Sequence, residues 1–268
     1  MKIFVDSADL EEIKKAYEWR VADGVTTNPS LLKKSVEKNK EQSLKEYIGE
    51  ILKATKGTPV SLEVTSSEAK DMVLEGVMLY RTFKSYSKNI VIKIPVNTAL
   101  GESDENHFEG IKAIKELSDR KINVNATLVF TPEQALLAAK AGAKYVSLFV
   151  GRTDDYIKSK NNVAGKQEYY PAEGLPGGEG LLEDNGIVSG IDLVSQSAEI
   201  IRKHGLKSEV LAASLRNKRQ VREAALAGAH IATIPFSVLK EMVMHKKTFE
   251  GMKKFSEDAP EEYKKLMR

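Results

Sequence analysis

Eight short runs of apolar, largely β-branched residues recur along the chain, at 2–6, 22–29 with its exit loop, 59–64, 89–96, 123–129, 144–150, 209–214 and 230–235. Runs of about four to eight such residues, bounded by polar segments, read as buried parallel strands. Between them lie stretches with helical spacing of apolar residues. Ser7 is placed to cap the first, with Leu10, Ile13 and Ala16 on one face. Pro29 suits a first helical turn, and Thr131-Pro132-Glu133-Gln134 is a capped helix start with proline at its first position. Strands alternating with helices eight times over, on one chain of 268 residues, predict an α/β fold: a (β/α)8 TIM barrel forming a single domain over 1–268. A doubly wound open sheet fits less well, because no glycine-rich phosphate loop follows the first run.

Two stretches exceed what a barrel needs, 97–107 after the fourth run and a long rim loop over 158–190 after the sixth. Both follow strands, so both are expected on the catalytic rim. A C-terminal helical extension is expected over 248–268, with Phe249, Met252, Phe255, Tyr263 and Leu266 apolar.

Composition excludes several classes. The net charge is +3, and the charges are interleaved along helical stretches, so no nucleic-acid partner is expected. There is no cysteine, hence no disulfide and no thiolate site. No apolar run is long enough to span a membrane and no signal peptide is visible, so the expected location is cytoplasmic. His107, His204, His230 and His245 show no metal-ligand spacing; no metal and no cofactor is expected.

The fourth run, Asn89-Ile90-Val91-Ile92-Lys93-Ile94-Pro95-Val96, carries a lysine where burial of an ammonium is costly. Lys93 either snorkels from a strand end or points into the barrel mouth, loses its proton and serves as an amine nucleophile. Asp6 and Glu63 also interrupt apolar runs, each on its own strand. Three ionisable residues on separate strands favour a shared polar centre, since buried charges need partners. A lysine amine that attacks a ketone forms an imine, an electron sink for making or breaking the adjacent carbon–carbon bond, with carboxylates moving the protons. Thr26-Thr27-Asn28, Asn125 with Thr127, and Ser147 stand at other strand ends. Arg152, Ser214 and Arg216, after the sixth and seventh runs, suit an oxyanion such as phosphate, unless the arginines are spent in surface ion pairs.

The chain resembles the transaldolases, class I aldolase-like barrels, along nearly its whole length. The matching stretches are Phe4-Val5-Asp6-Ser7-Ala8, Gly24-Val25-Thr26-Thr27-Asn28-Pro29-Ser30-Leu31, Val91-Ile92-Lys93-Ile94-Pro95, Asn125-Ala126-Thr127-Leu128-Val129-Phe130, Phe149-Val150-Gly151-Arg152 and Ala213-Ser214-Leu215-Arg216-Asn217. The resemblance implies that Lys93 is the Schiff-base lysine and that Asp6 handles protons at the donor's hydroxyl. It implies that Glu63, through a water held also by Thr127, is the acid/base for imine formation. Asn28 and Asn125 would bind donor hydroxyls, Thr27 and Ser147 would line the pocket, and Arg152, Ser214 and Arg216 would bind the phosphate. The implied reaction moves a dihydroxyacetone unit from sedoheptulose 7-phosphate or fructose 6-phosphate to an aldose phosphate, in the pentose phosphate pathway.

A sister group, the fructose 6-phosphate aldolases, releases free dihydroxyacetone. It has glutamine at the position of Glu63 and tyrosine at that of Phe149; this chain carries the transaldolase residue at both. A phenol at 149 could protonate the enamine, and a phenyl ring cannot. A sulfonated ketose is an alternative substrate, since both arginines suit either anion, and a non-catalytic sugar-phosphate binder has no use for a buried amine. The C-terminal segment looks like the terminal helix that embraces a neighbouring subunit in small-subunit members, so a homo-oligomer is expected: a pentamer or decamer, or a dimer.

Overall fold

A computed structural model describes residues 1–38, 42–163, 169–178 and 180–266. Its strands in chain order are β1 (Lys2–Asp6), β2 (Gly24–Thr26), β3 (Val60–Glu63), β4 (Ile90–Pro95), β5 (Asn123–Val129) and β6 (Tyr145–Phe149). There follow β7 (Pro176–Gly177), β8 (Gly180–Leu181), β9 (Glu209–Ala213) and β10 (Ile231–Ile234). Eight of them close into a parallel barrel in the order β1-β10-β9-β6-β5-β4-β3-β2, while β7 and β8 form a small antiparallel hairpin outside it. The expected single-domain (β/α)8 barrel is the fold observed.

Alternation along each strand explains the uninterrupted apolar runs. One set of side chains, such as Val5, Val25, Leu62, Ile92, Ile94, Ala126 and Val146, packs outward against the helices. The other set, Phe4, Val91, Tyr145, Leu211 and Ile231, fills the lower interior. Phe4 and Tyr145 meet edge to face there, with ring centroids 5.7 Å apart.

The flanking helices are α1 (Leu10–Glu18), α2 (Pro29–Lys38), α3 (Leu44–Ala54), α4 (Ala69–Phe83), α5 (Glu109–Asp119), α6 (Pro132–Lys140), α7 (Val150–Lys160), α8 (Gly190–Lys203), α9 (Lys218–Leu226) and α10 (Phe236–Glu241). Thr131, Ser189 and Asn217 cap α6, α8 and α9 with their side chains. The cap of α1 is Asp9, not Ser7: the Asp9 carboxylate accepts from the Glu11 and Glu12 amides. Ser7 stands two residues upstream, accepting from the Asp9 amide at 3.0 Å and donating to Glu12 at 2.6 Å.

Three further differences concern the added segments. Residues 158–160 are the last turn of α7, so the irregular excursion starts after Lys160. Beyond the residues at 164–168 and 179, which lie outside the described ones, this excursion is tied to the flanking helices. Tyr169 donates to Glu223 at 2.8 Å, the Arg219 guanidinium lies 3.7 Å from the Tyr169 ring centroid, and Ser189 donates to the Ala172 carbonyl at 2.6 Å. The 97–107 stretch is folded on itself: Asp104 accepts from the amides of Leu100 and Asn106, ahead of a 3-10 turn at Asn106–Phe108. The expected C-terminal helix is two helices, α11 (Lys246–Asp258) and α12 (Glu261–Leu266). Pro260 separates them because proline lacks an N–H and pushes the residue before it out of helical geometry; Ala259 is extended, with ψ 119°. Residues 267–268 of that expectation lie outside the described residues. No helix among the described residues is long and apolar enough to cross a membrane.

Candidate active site

Above the apolar floor the barrel interior becomes polar. Asn125 is fully buried, donating to Ser61 at 3.2 Å and accepting from Ser147 at 2.8 Å. Thr26 donates to Asp6 at 3.1 Å and meets Thr233 at 2.5 Å. These pairs involve six strands, β1, β2, β3, β5, β6 and β10, around one cavity of about 360 Å³, open at the C-terminal ends of the strands.

Register brings the reactive groups level. Glu63, Lys93 and Asn125 stand on one rung of β3, β4 and β5. Lys93 is 7% exposed, and its ammonium lies 3.0 Å from Glu63 Oε2 and 3.4 Å from the Thr27 carbonyl. Asp6 faces the same cavity from β1. Burial raises its carboxyl above the ordinary value; the charge of Lys93 and the hydrogen bond from Thr26 oppose this. An amine next to one carboxylate, with a second carboxylate lining the same cavity, can exchange protons with a bound substrate at two points.

Of the residues marked from the sequence, Asp6, Asn28, Glu63, Lys93, Ser147, Phe149, Arg152 and Ser214 line this cavity. Asn28 also caps the start of α2, accepting from the Leu31 amide at 2.9 Å. Arg152 lies over the Phe149 ring, 5.1 Å from its centroid, and Phe130 packs edge-on against the same ring. Asn125 and Thr127 sit beneath the lining. The Thr127 hydroxyl is buried without a protein partner. The Thr27 hydroxyl donates to the Ser61 carbonyl at 2.8 Å, so its carbonyl rather than its side chain meets Lys93.

Arg216 is placed differently from expectation. Both terminal nitrogens of its guanidinium donate to Asp155, one at 2.8 Å. Its Nε passes over Gly151, where a Cβ would come within 2.7 Å of it. Arg216 therefore stands behind the first turn of α7, against the helix end that faces the cavity. Neither the 97–107 stretch nor the described part of 158–190 lines the cavity.

Sequence reasoning missed Ser61, Thr233, Asp155 and Leu128. Period-two alternation from Glu63 points to Ser61, on the same face. Asp155 follows Gly151 by one helical turn. No local pattern marks Leu128. Among the described residues, no three histidine, aspartate or glutamate side chains are grouped to hold a metal ion.

Asp154, next to Asp155, is buried and accepts from the Gly190 amide at 2.7 Å and from Gln220 at 3.0 Å. Burial pushes its carboxyl up from 3.8 to about 7, against the pull of the Gly190 N–H, Arg216 and Lys158. Between those two values the folded chain holds a proton that the unfolded chain has released, so stability falls as pH rises through that window. The expected loss is on the order of a few kcal/mol, roughly 5–10 °C in Tm. Melting curves from pH 4 to pH 8 should show this fall, and Asp154→Asn should flatten it; an unchanged slope in the variant would assign the effect elsewhere.

Comparison with known proteins agrees with this geometry. Residues 3–268 match the family described as Transaldolase/Fructose-6-phosphate aldolase. A "Probable transaldolase" of Clostridium perfringens (strain SM101 / Type A) is 43% identical over 258 residues, covering 96% of this chain and 97% of the relative. One of the same name from Prosthecochloris aestuarii is 42% identical over 262 residues, covering 97% of each. Another, from Alkaliphilus metalliredigens, is 40% identical over 258 residues, covering 96% and 97%.

Proposed function

From the premise that this chain belongs to the Transaldolase/Fructose-6-phosphate aldolase family, an enzyme family, we propose that it is a transaldolase working through a Schiff base on Lys93. The observation that carries this reading is the buried Lys93 amine 3.0 Å from Glu63, with Asp6 lining the same cavity. The substrates are a ketose phosphate donor, sedoheptulose 7-phosphate or fructose 6-phosphate, and an aldose phosphate acceptor.

Glu63 takes a proton from the Lys93 ammonium, and the free amine adds to the donor ketone. Glu63 then returns a proton as water leaves and the imine forms. The Thr127 hydroxyl, buried without a protein partner, suits a water shared with Glu63. Asp6 takes the donor's hydroxyl proton as the carbon–carbon bond breaks; its raised basicity suits it to do so. The aldose leaves and an enamine remains on Lys93. That enamine attacks the acceptor aldehyde, Asp6 protonates the new alkoxide, and water frees the product ketose. Asn28, Asn125 and Ser147 orient the donor. Arg152 and Ser214, with Arg216 behind the first turn of α7, bind the phosphate.

Phe149 offers the enamine an apolar ring and no proton, which favours transfer over release. Phe249, Met252, Phe255, Tyr263 and Leu266 are all more than half exposed on α11 and α12. That apolar face supports a homo-oligomer in which a neighbouring copy covers it.

The test is a substrate panel. Fructose 6-phosphate with erythrose 4-phosphate should yield glyceraldehyde 3-phosphate and sedoheptulose 7-phosphate, and fructose 6-phosphate alone should release dihydroxyacetone far more slowly. Equal rates with and without acceptor would make the protein an aldolase.

A further inference from the structure

Among the described residues, seven other than glycine hold a positive φ. Five have a local reason. Arg20, Lys56, Lys121 and Asn162 each follow a helix C-cap, where a left-handed residue closes the helix. Asn185 lies in the tight turn closed by the Asp184–Ile187 pairing. The remaining two are Leu128, at φ 56° inside β5, and Ser214, at φ 59° just past β9. Both line the cavity that holds Lys93.

Leu128 is the one without any helix-end or turn geometry. Val124 and Ala126 face outward into the main core, so simple alternation would send Leu128 outward as well. Instead the pairing with β6 slips: Ala126 is opposite Val146, and Val129 is opposite Leu148. This is a β-bulge, which re-aims a side chain at the cost of regular pairing. Val129 takes the outward position that Leu128 would have held, and Leu128 packs against neither core cluster. A branched side chain in the left-handed region is strained, and strain kept beside a reactive group is a mark of use there.

We propose that Leu128 is a specificity-determining residue: an apolar wall on the mouth side of the cavity that holds Lys93, which keeps water from the enamine and so decides between transfer and release. The proposal rests on the Schiff-base reading above. Lys93 on β4 pairs with Asn125 and Pro95 with Thr127, so Leu128 stands three residues beyond the rung of Lys93 toward the mouth, on the neighbouring strand. Around the barrel from there, Phe149 on β6 and Ala213 on β9 add apolar surface, interspersed with Ser147, Arg152 and Ser214. Asp6, Thr26 and Glu63 occupy the opposite, polar arc. The enamine carbon has two fates. It can form a bond to the acceptor's carbonyl carbon, the carbonyl oxygen taking a proton, to give an iminium that water hydrolyses to the product ketose and free Lys93. Or it can take a proton from water; the hydroxide left behind adds to the iminium, and the carbinolamine collapses to free dihydroxyacetone and the Lys93 amine. A wall that excludes water while the enamine waits slows the second fate, whereas the first needs water only after the new carbon–carbon bond has formed.

The experiment compares the parent with Leu128→Asn and Leu128→Gly. Asparagine keeps similar size and tolerates the left-handed region, and glycine adopts it freely. Each protein receives fructose 6-phosphate. Free dihydroxyacetone is measured without acceptor, transfer is measured with erythrose 4-phosphate, and the borohydride-trapped adduct on Lys93 and the Tm are read on the same samples. Both variants should raise the release-to-transfer ratio about tenfold while the adduct still forms, because the wall is breached. Leu128→Asn should melt no lower than the parent, since strain is relieved. An unchanged ratio in Leu128→Asn, with the adduct present, overturns the proposal; an unchanged ratio with a lower Tm assigns Leu128 to packing. If the glycine variant does not fold, the asparagine variant decides alone. Absence of any adduct in the parent overturns the Schiff-base reading instead, and this proposal with it.

Discussion

Lys93→Ala should abolish turnover, and borohydride with a ketose substrate should no longer add mass to the protein. The expectation follows from burial and partners together. Two lysines are buried among the described residues, Lys93 and Lys158. Lys158 lies on α7, with its ammonium 3.6 Å from Asp155. Lys93 stands in the barrel interior on the same rung as Glu63, 3.0 Å from its carboxylate. On the proposed Schiff-base mechanism, that amine passes its proton to Glu63 and meets a ketone inside the cavity, which Lys93 lines and Lys158 does not. Removing one partner of a buried pair also leaves the other uncompensated, which typically costs about 3–5 kcal/mol. Lys93→Ala should therefore melt lower as well, and Lys93→Met, which refills the space, should abolish turnover to the same degree. Retained turnover in a folded variant, or an adduct mapped to Lys158, would sink the assignment.

Arg216→Ala should raise KM for phosphorylated ketoses about ten- to a hundredfold and change KM for free dihydroxyacetone-type donors much less. A charged hydrogen bond of this kind contributes roughly 1.5–3 kcal/mol. The geometry sharpens the test. The fork of Arg216 is held by Asp155, and its Nε runs over Gly151 at the start of α7. If Arg216 acts on the anion, the loss tracks the phosphate. If it serves only to brace α7 against the Ser214 loop, phosphorylated and unphosphorylated donors lose equally and Tm falls with them. Arg152, which lines the cavity itself, should show the phosphate-specific loss in either case.

Much of the fold was legible in the residues themselves. A strand buried on both faces is largely apolar, so the barrel strands showed as short runs rich in apolar and β-branched residues, and the turns between runs carried their own capping residues. The same rule made Asp6, Glu63 and Lys93 conspicuous, because an ionisable group inside such a run is costly without a partner. Eight strands in one order leave a barrel as the closed solution, and a barrel sends those three side chains toward one mouth.

What remained hidden depends on which distant groups meet. Asp9 rather than Ser7 caps α1 because the chain turns two residues later than the nearest hydroxyl suggests. The fork of Arg216 belongs to Asp155, 61 residues away, and an arginine at a strand exit looks the same from the sequence whether its partner is a ligand or a carboxylate. The facing of Leu128 was beyond reach for a simpler reason. Alternation predicts it outward, and only the slip of β5 against β6 turns it inward. Local sequence thus determined which residues form strands and which charges are out of place, because burial acts on each residue where it stands. Tertiary structure alone decided pairings and register, because those arise from contacts between strands and helices that the order of residues does not join.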